Sequence, residues 1–406
     1  MEIIKSVSEV RNQFPALYGC STLYQINRYS KLLRRFNAQY KEKGGYMCSS
    51  SGRVEVIGNH TDHNGGKVVA CAISLDILAV FLPDDEFITI KSEGYPDIRF
   101  RINELEPCGA NSQSMAKGVI KGLLNRGYKV GGFKATITSN VVGGAGISSS
   151  AAYELLICEI ENGLYNNGAV TPIDKAKIGQ FSENNYFGKA SGLMDQSAVA
   201  LGGMNIIDFK DDIKFQRLDI DMTNYNLVLI NTGGSHANLT EEYSAIPKEM
   251  FAVAKFFGKT RLIDVDKSDF YTKYEEVKSQ VGLRPALRAK HFFEENDRVN
   301  DMQNAVAVKN YDKFLQLISQ SGESSYKQLQ NCYVVGGAMP IPECLSRAKA
   351  ILNKGACRVH GGGFAGTTLN IVPKKELKDF ISKMLEYYSK KDIIVLKLRS
   401  VGATTL

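Results

Sequence analysis

"VVGGAGISSSAAYELLICEIENGLY", residues 141–165, leads a glycine-rich loop into an apolar, alanine-containing run that reads as a helix behind a serine cap. The segment before it, "FKATITSNV" (133–141), reads as a strand. Glycines let a backbone close around a ligand, and a helix N-terminus aims unpaired N–H groups at an anion. Ser148, Ser149 and Ser150 add hydroxyl donors and a candidate magnesium ligand. An anion gains about 0.3–1 kcal/mol from such a helix end at a surface, and up to about 2 when partly buried. A nucleotide triphosphate would gain from this and from several N–H bonds at once. A capped helix after a glycine turn explains the same residues equally well.

Outward from this loop, the first 45 residues read as helical, with "YQINRYSKLLRRFNAQYKEKGG" (24–45) ending at glycine. Strand character follows in "RVEVIG" (53–58), "KVVACAISLDILAVFL" (67–82), "FITIKSE" (87–93) and "IRFRINE" (98–104). "SMAKGVIKGLLNRG" (114–127) is an amphipathic helix. Beyond the loop come short strands "MNIIDF" and "YNLVLINTG", a mostly helical stretch from 241 to about 330, and a final alternation of helices and strands. A strand-rich first half and a helix-rich second half imply an α+β protein of two domains, divided near 190–210.

The chain of 406 residues, with net charge +7 and 44% hydrophobic content, reads as globular. Its basic residues are scattered, which argues against a nucleic-acid partner and suits anionic small molecules. Eight cysteines without a CxxC pair suggest a reducing compartment rather than a zinc or redox motif. No signal-like N-terminus is evident, and the longest apolar run, "ISLDILAVFL", is interrupted by Asp76 and too short for a bilayer. A cytoplasmic protein without membrane contact is expected.

Two other glycine patterns fail as nucleotide loops. "GKT" (258–260) would need a glycine where Val253 stands. "GGGFAG" (361–366) spells GxGxxG, but strand-like "TTLNIV" follows where a dinucleotide fold needs a helix, leaving a tight turn in a hairpin. A third stretch, "GRVEVIGNHTDHNGG" (52–66), crowds polar groups after a strand. His60 and His63 lack metalloprotease spacing, so metal chelation is disfavoured. Arg53, Asn59, His60 and Asp62 can instead present donors and acceptors to a hydroxylated substrate, with charged Asp62 making the stronger bonds.

In order along the chain these stretches form a pattern. "GRVEVIGNHTDHNGG" resembles the galactokinase signature, "VVGGAGISSSAA" the second motif of the GHMP kinases, and "GACRVHGGGFAG" (355–366) the third. "SGLMDQSAVALGG" (191–203) resembles the segment that carries the galactokinase catalytic aspartate. "RAKHFFEENDRVNDM" (288–302), "SGESSYKQLQNCYV" (321–334) and the chain-end "IIVLKLRSVGA" (393–403) resemble the same family.

The resemblance implies a two-domain GHMP kinase. Residues 1–205 would form a domain like domain 2 of ribosomal protein S5, and 206–406 a ferredoxin-like domain, with the active site in the cleft between them. It implies transfer of the γ-phosphoryl of ATP, with Mg²⁺, to the anomeric hydroxyl of galactose by a monomer whose ligands are the sugar and ATP. Asp195 matches the catalytic base and Arg53 its partner. Asn59, His60, Asp62 and Tyr243 match positions that hold the sugar. Gly143, Gly144, Ala145, Gly146, Ile147, Ser148, Ser149 and Ser150 match the triphosphate cradle, with Ser150 the magnesium contact. By themselves, Asp195 reads as a helix-capping acid and Tyr243 as an ordinary half-buried aromatic.

The chain also departs from the pattern. The family's G-E-H-T-D-Y has Asn59 for the Glu and His63 for the Tyr; Ser50-Ser51, Val142 and His360 replace the usual Ala-Pro, Pro and Thr. The family Glu accepts from the sugar's 6-hydroxyl. Two carboxylates about 4 Å apart repel by up to about 4 kcal/mol at an effective dielectric near 20, so Asn59 removes a barrier to a sugar acid and offers an amide N–H. A galacturonate 1-kinase is therefore the alternative enzyme. A non-catalytic sugar sensor is disfavoured by the complete second motif, and a mevalonate or homoserine kinase by His60-Thr61-Asp62 and Tyr243.

Overall fold

The computed structural model describes residues 1–406 except 21, 142, 144–145, 190, 234–238, 335–336 and 365, and the side chain of Thr240. Its strands are β1 (Tyr46–Ile57), β2 (Lys67–Asp84), β3 (Phe87–Ser92), β4 (Ile98–Arg101), β5 (Gly132–Ser139), β6 (Met204–Asp208), β7 (Lys214–Arg217), β8 (Tyr225–Asn231), β9 (Ala356–His360), β10 (Thr367–Pro373), β11 (Ile393–Leu396) and β12 (Thr404–Thr405). Eight of them form one sheet, ordered β12-β1-β2-β5-β3-β4 with β6 and β7 continuing from β2. The other four form an antiparallel sheet ordered β11-β8-β10-β9.

The long apolar run of β2 is explained by cover on both faces, with side chains alternating between them. Leu78 and Val80 pack with Tyr29, Leu33 and Phe36 of helix α1 (Leu23–Tyr40). Ile77, Ala79 and Phe81 join the main core with Val119 of α2 (Ser112–Leu124) and Leu156 and Ile160 of α3 (Ser149–Tyr165). The four-stranded sheet is sandwiched in the same way. Leu227 and Leu229 face α4 (Leu283–Ala307) and α5 (Tyr311–Ser324), while Val228 and Ile230 face α6 (Pro340–Ile351). Helix α1 ends at Lys41, itself left-handed at φ +56°, three residues ahead of the glycine read as its stop.

The expected division at 205/206 falls inside β6, which pairs with β2. The first sheet runs on to Arg217 through β7, and β12 brings the chain end back to β1. A division after Arg217 respects the pairing. No helix among the described residues is long and apolar enough to cross a membrane.

Asp76, which interrupts the apolar run of β2, is fully buried. It pairs with Arg28 of α1, accepts from Tyr18 at 2.6 Å and from Ser49, and lies 3.5 Å from Arg399 Nη1. One carboxylate thus ties three distant chain segments together. Burial opposes its charge, but Arg28 and Arg399 hold its carboxyl below the ordinary value. Asp76→Asn leaves buried arginines under-compensated and is expected to cost about 3–5 kcal/mol in urea unfolding. Because its folded pKa is depressed, Asp76 stabilises the fold above about pH 4 and ceases to as pH falls through the depressed value.

Candidate active site

β1 enters the site through two breaks in its register with β2, between Ser51 and Arg53 and between Glu55 and Ile57. Such bulges re-aim side chains, and these bracket Arg53 and Glu55, both of which line a cleft. A Cβ on Gly52 would stand 2.7 Å from the carbonyl oxygen of Ile147, so β1 passes the glycine-rich loop too closely for any other residue. Arg53 N donates to that oxygen at 3.2 Å.

The Arg53 guanidinium reaches Asp195 Oδ1 through Nε at 2.8 Å and Nη2 at 2.7 Å, and its Nη1 donates to the Gly146 carbonyl. Asp195 lies in the first turn of the short helix Met194–Leu201, where a carboxylate is favoured. Its other oxygen accepts the Ser148 hydroxyl. Burial works against the Asp195 charge, but Arg53, then Ser148 and Lys189, hold its carboxyl below the ordinary value.

The serine expected to cap α3 therefore does something else. Ser148 adopts a left-handed backbone (φ +60°, ψ +57°), and no side chain caps the helix. Its hydroxyl is spent on Asp195, which leaves the first helix N–H groups uncapped beside the glycine loop, the arrangement that attracts phosphate. A left-handed serine is strained by about 1–3 kcal/mol, a cost typical of functional sites. Gly146, at φ +70°, turns its carbonyl to both Arg53 and the His360 ring, whose Nε2 lies 3.0 Å away. The Ile147 side chain is buried in the core, Gly143 is exposed and Ser149 opens the helix. Gly144 and Ala145 lie outside the described residues.

Ser150 donates to Glu183 Oε1 at 2.9 Å, and Glu183 also pairs with Lys189 at 2.8 Å and accepts from Gln196 at 2.8 Å. Two hard oxygens side by side suit a magnesium ion that takes its remaining ligands from phosphate and water. Among the described residues no three His, Cys, Asp or Glu side chains cluster as a metal site, so a cation bound here would need non-protein ligands as well.

The opposite wall comes from the loop after β1 and the β9–β10 turn. His60, left-handed at φ +57°, places Nε2 3.0 Å from the Gly362 carbonyl. Tyr243 of the helix Thr240–Phe256 donates to the Gly363 carbonyl at 2.9 Å and packs edge-on to Phe364. The Asp62 carboxylate lies so close to Gly192 that any side chain there would displace it. Burial, opposed by the His63 backbone N–H and reinforced by Asp195, raises the Asp62 carboxyl to about 6. Burial lowers His60 to about 4, which keeps its ring neutral.

Asn59 lines the cleft as expected of a sugar-side residue, but its amide is not free as the sequence reading had it. It is 1% exposed. Its Nδ2 donates to Glu55 at 3.2 Å and to the Gly361 carbonyl at 2.9 Å, and its Oδ1 accepts from Asn331 at 2.7 Å. Both amide hydrogens are used within the protein, so none is offered to a sugar acid.

Arg53, Asp62 and Asp195 thus line one cleft, together with Asn59, His60, Tyr243 and Gly361–Gly362. Its volume of about 1190 Å³ exceeds the roughly 300–1,000 Å³ of a single small-molecule pocket, giving room for two reactants. Glu55, Glu183 and Lys189 escaped the sequence reading. Only Glu55 had a local signal, since it stands two residues from Arg53 on a strand and shares its face.

Residues 34–83 match the galactokinase galactose-binding signature, and 114–203 match the GHMP kinases N terminal domain. The chain is 30% identical over 372 residues to a galactokinase of Clostridium tetani, covering 89% of this chain and 92% of that one. It is 30% identical over 382 residues to a galactokinase of Limosilactobacillus reuteri, covering 89% and 94%. The fold matches that of Lactococcus lactis galactokinase, solved with galactose, at a TM-score of 0.81 and 24% identity over 93% of this chain and all of that one. It matches Methanococcus jannaschii mevalonate kinase less well, at 0.61 and 16% identity over 87% and 98%.

Proposed function

The chain belongs to the galactokinase family, and on that premise we propose that it transfers the γ-phosphoryl group of ATP to the anomeric hydroxyl of galactose, yielding galactose 1-phosphate and ADP. It is a sugar kinase, a phosphotransferase with an alcohol as acceptor. One observation carries the residue assignment: Asp195, held ionised by Arg53, sits where the cleft meets the uncapped helix end behind the glycine loop.

An anomeric hydroxyl is a poor nucleophile, so an ionised carboxylate that takes its proton lowers the barrier. Arg53 keeps Asp195 charged and adds positive charge where the phosphoryl group passes, while the loop 143–150 and the α3 N-terminus orient the triphosphate. Asp62, His60 and Tyr243 hold the sugar so that its hydroxyl faces Asp195. Magnesium, held by Ser150 and Glu183, would neutralise phosphate charge. The galacturonate alternative rested on the loss of the family Glu's charge at position 59 and on a free Asn59 amide; that amide is committed to internal partners, and a buried carboxylate, Glu55, stands beside it in the cleft.

ADP release assayed with galactose, galacturonate, glucose and mevalonate tests this reading. Turnover is expected with galactose and magnesium-ATP. Glu183→Gln is expected to raise the half-saturating magnesium concentration about 10-fold or more, with the galactose KM nearly unchanged. If no sugar lifts ADP release above the sugar-free rate, the chain is a sensor and not a kinase.

A further inference from the structure

Asn59 lines the cleft, but both of its amide hydrogens are spent on Glu55 and the Gly361 carbonyl, which turns attention to its partner. Glu55 lines the same cleft, is 3% exposed and stands two residues along β1 from Arg53. Its Oε2 accepts from Asn59, while Oε1 is buried and accepts no hydrogen bond. Arg358 Nη2 lies 3.4 Å from Oε1, but Arg358 also donates to the Val56 carbonyl and the Ser321 hydroxyl. A buried carboxylate with one oxygen held only by an ion pair and no hydrogen bond is under-satisfied, and a hydroxyl donated to it from the cleft would relieve it. Residues i and i+2 of a strand are about 6–7 Å apart, a span that a six-carbon sugar presented to Asp195 can bridge.

We propose that Glu55 determines the sugar specificity of this site: its carboxylate, at the wall of the cleft, accepts a hydroxyl of a neutral hexose, and its charge turns away a hexuronate. The inference rests on the sugar-kinase reading above. A uronate carboxylate would meet Glu55 in a poorly solvated pocket, where like charges repel strongly. The two arginines nearest Glu55 offer no relief, since Arg53 is committed to Asp195 and Arg358 to Glu55 and its own neighbours. Asn59 is a positioning residue that holds Glu55 in place.

The test compares kcat/KM for galactose and galacturonate in the native protein, Glu55→Gln and Glu55→Asp, with melting temperature as the folding control. It is run at pH 8, above the value of about 7 to which burial, opposed by Arg358, lifts the Glu55 carboxyl. Glu55→Gln keeps the shape and removes the charge. It is expected to raise the galactose KM about 10-fold with little change in kcat, and to lower the galactose-to-galacturonate preference at least as much. Glu55→Asp keeps the charge but shortens the reach, so the galactose KM rises while galacturonate stays excluded. An unchanged preference in Glu55→Gln, or galacturonate accepted by Glu55→Asp, overturns the proposal. If Glu55→Gln does not fold, Glu55→Asp decides, and an unchanged galactose KM in it also overturns the proposal. Absence of any sugar-dependent turnover in the native protein would instead overturn the kinase reading itself.

Discussion

Asp195→Asn is expected to lower kcat for galactose about 10²–10⁴-fold, the usual contribution of a positioned general base, while the sugar KM moves little. The substitution preserves size and keeps an oxygen to accept from Arg53 or Ser148, both of which now bond the carboxylate. On the proposed mechanism, what it removes is the group that takes the anomeric proton as the phosphorus–oxygen bond forms. Single-turnover rates at saturating sugar and magnesium-ATP isolate that step from binding and product release. A kcat within a few-fold of the native value would mean that the proton leaves without help, and that Asp195 serves only to anchor Arg53.

Arg53→Lys is expected to reduce kcat about 10²–10³-fold, as loss of one preorganised donor commonly does, and to reshape the pH profile. A lysine presents one compact charge and cannot reproduce the fork that holds Asp195 Oδ1 and the Gly146 carbonyl together. The sign of the pH effect follows from the opposing influences on Asp195. Burial pushes its carboxyl up, and Arg53 is the strongest influence pulling it down. On the proposed mechanism the base works ionised, so the acid limb of kcat in the native protein is expected below the ordinary carboxylate value, near pH 4. With Arg53 weakened, burial gains and the acid limb of kcat moves to higher pH. The profile of kcat is the better readout, because Asp62, raised to about 6 by burial, would add its own limb to sugar binding on the proposed reading. An acid limb that stays in place would show that Arg53 does not set the charge of Asp195.

Both results turn on contacts between residues 142 positions apart, and that separation marks what a linear reading can reach. Local features were legible. Continuous apolar, β-branched-rich runs disclosed β2 and β8, and the β-branched run after "GGGFAG" disclosed a hairpin in place of a nucleotide-binding turn. Glycine at 52 and 146 marked places where the backbone passes close or turns left-handed. These are properties of neighbours in sequence, decided by sterics within a few residues.

The remaining features depended on partners brought together by folding. Ser148 has the composition of a helix cap, yet its hydroxyl goes to Asp195 because the fold sets that carboxylate beside it. Asn59 has the composition of a ligand donor, yet Glu55, Gly361 and Asn331 take its amide. Asp76 looks like a flaw in an apolar strand until Arg28 and Arg399 surround it. Sequence alone determined the strands, helices and glycine turns, and through its ordered motifs the family. Tertiary structure decided which polar atoms remain free to meet a substrate, because a hydrogen bond is a short-range contact and a side chain's partners are chosen by proximity in space.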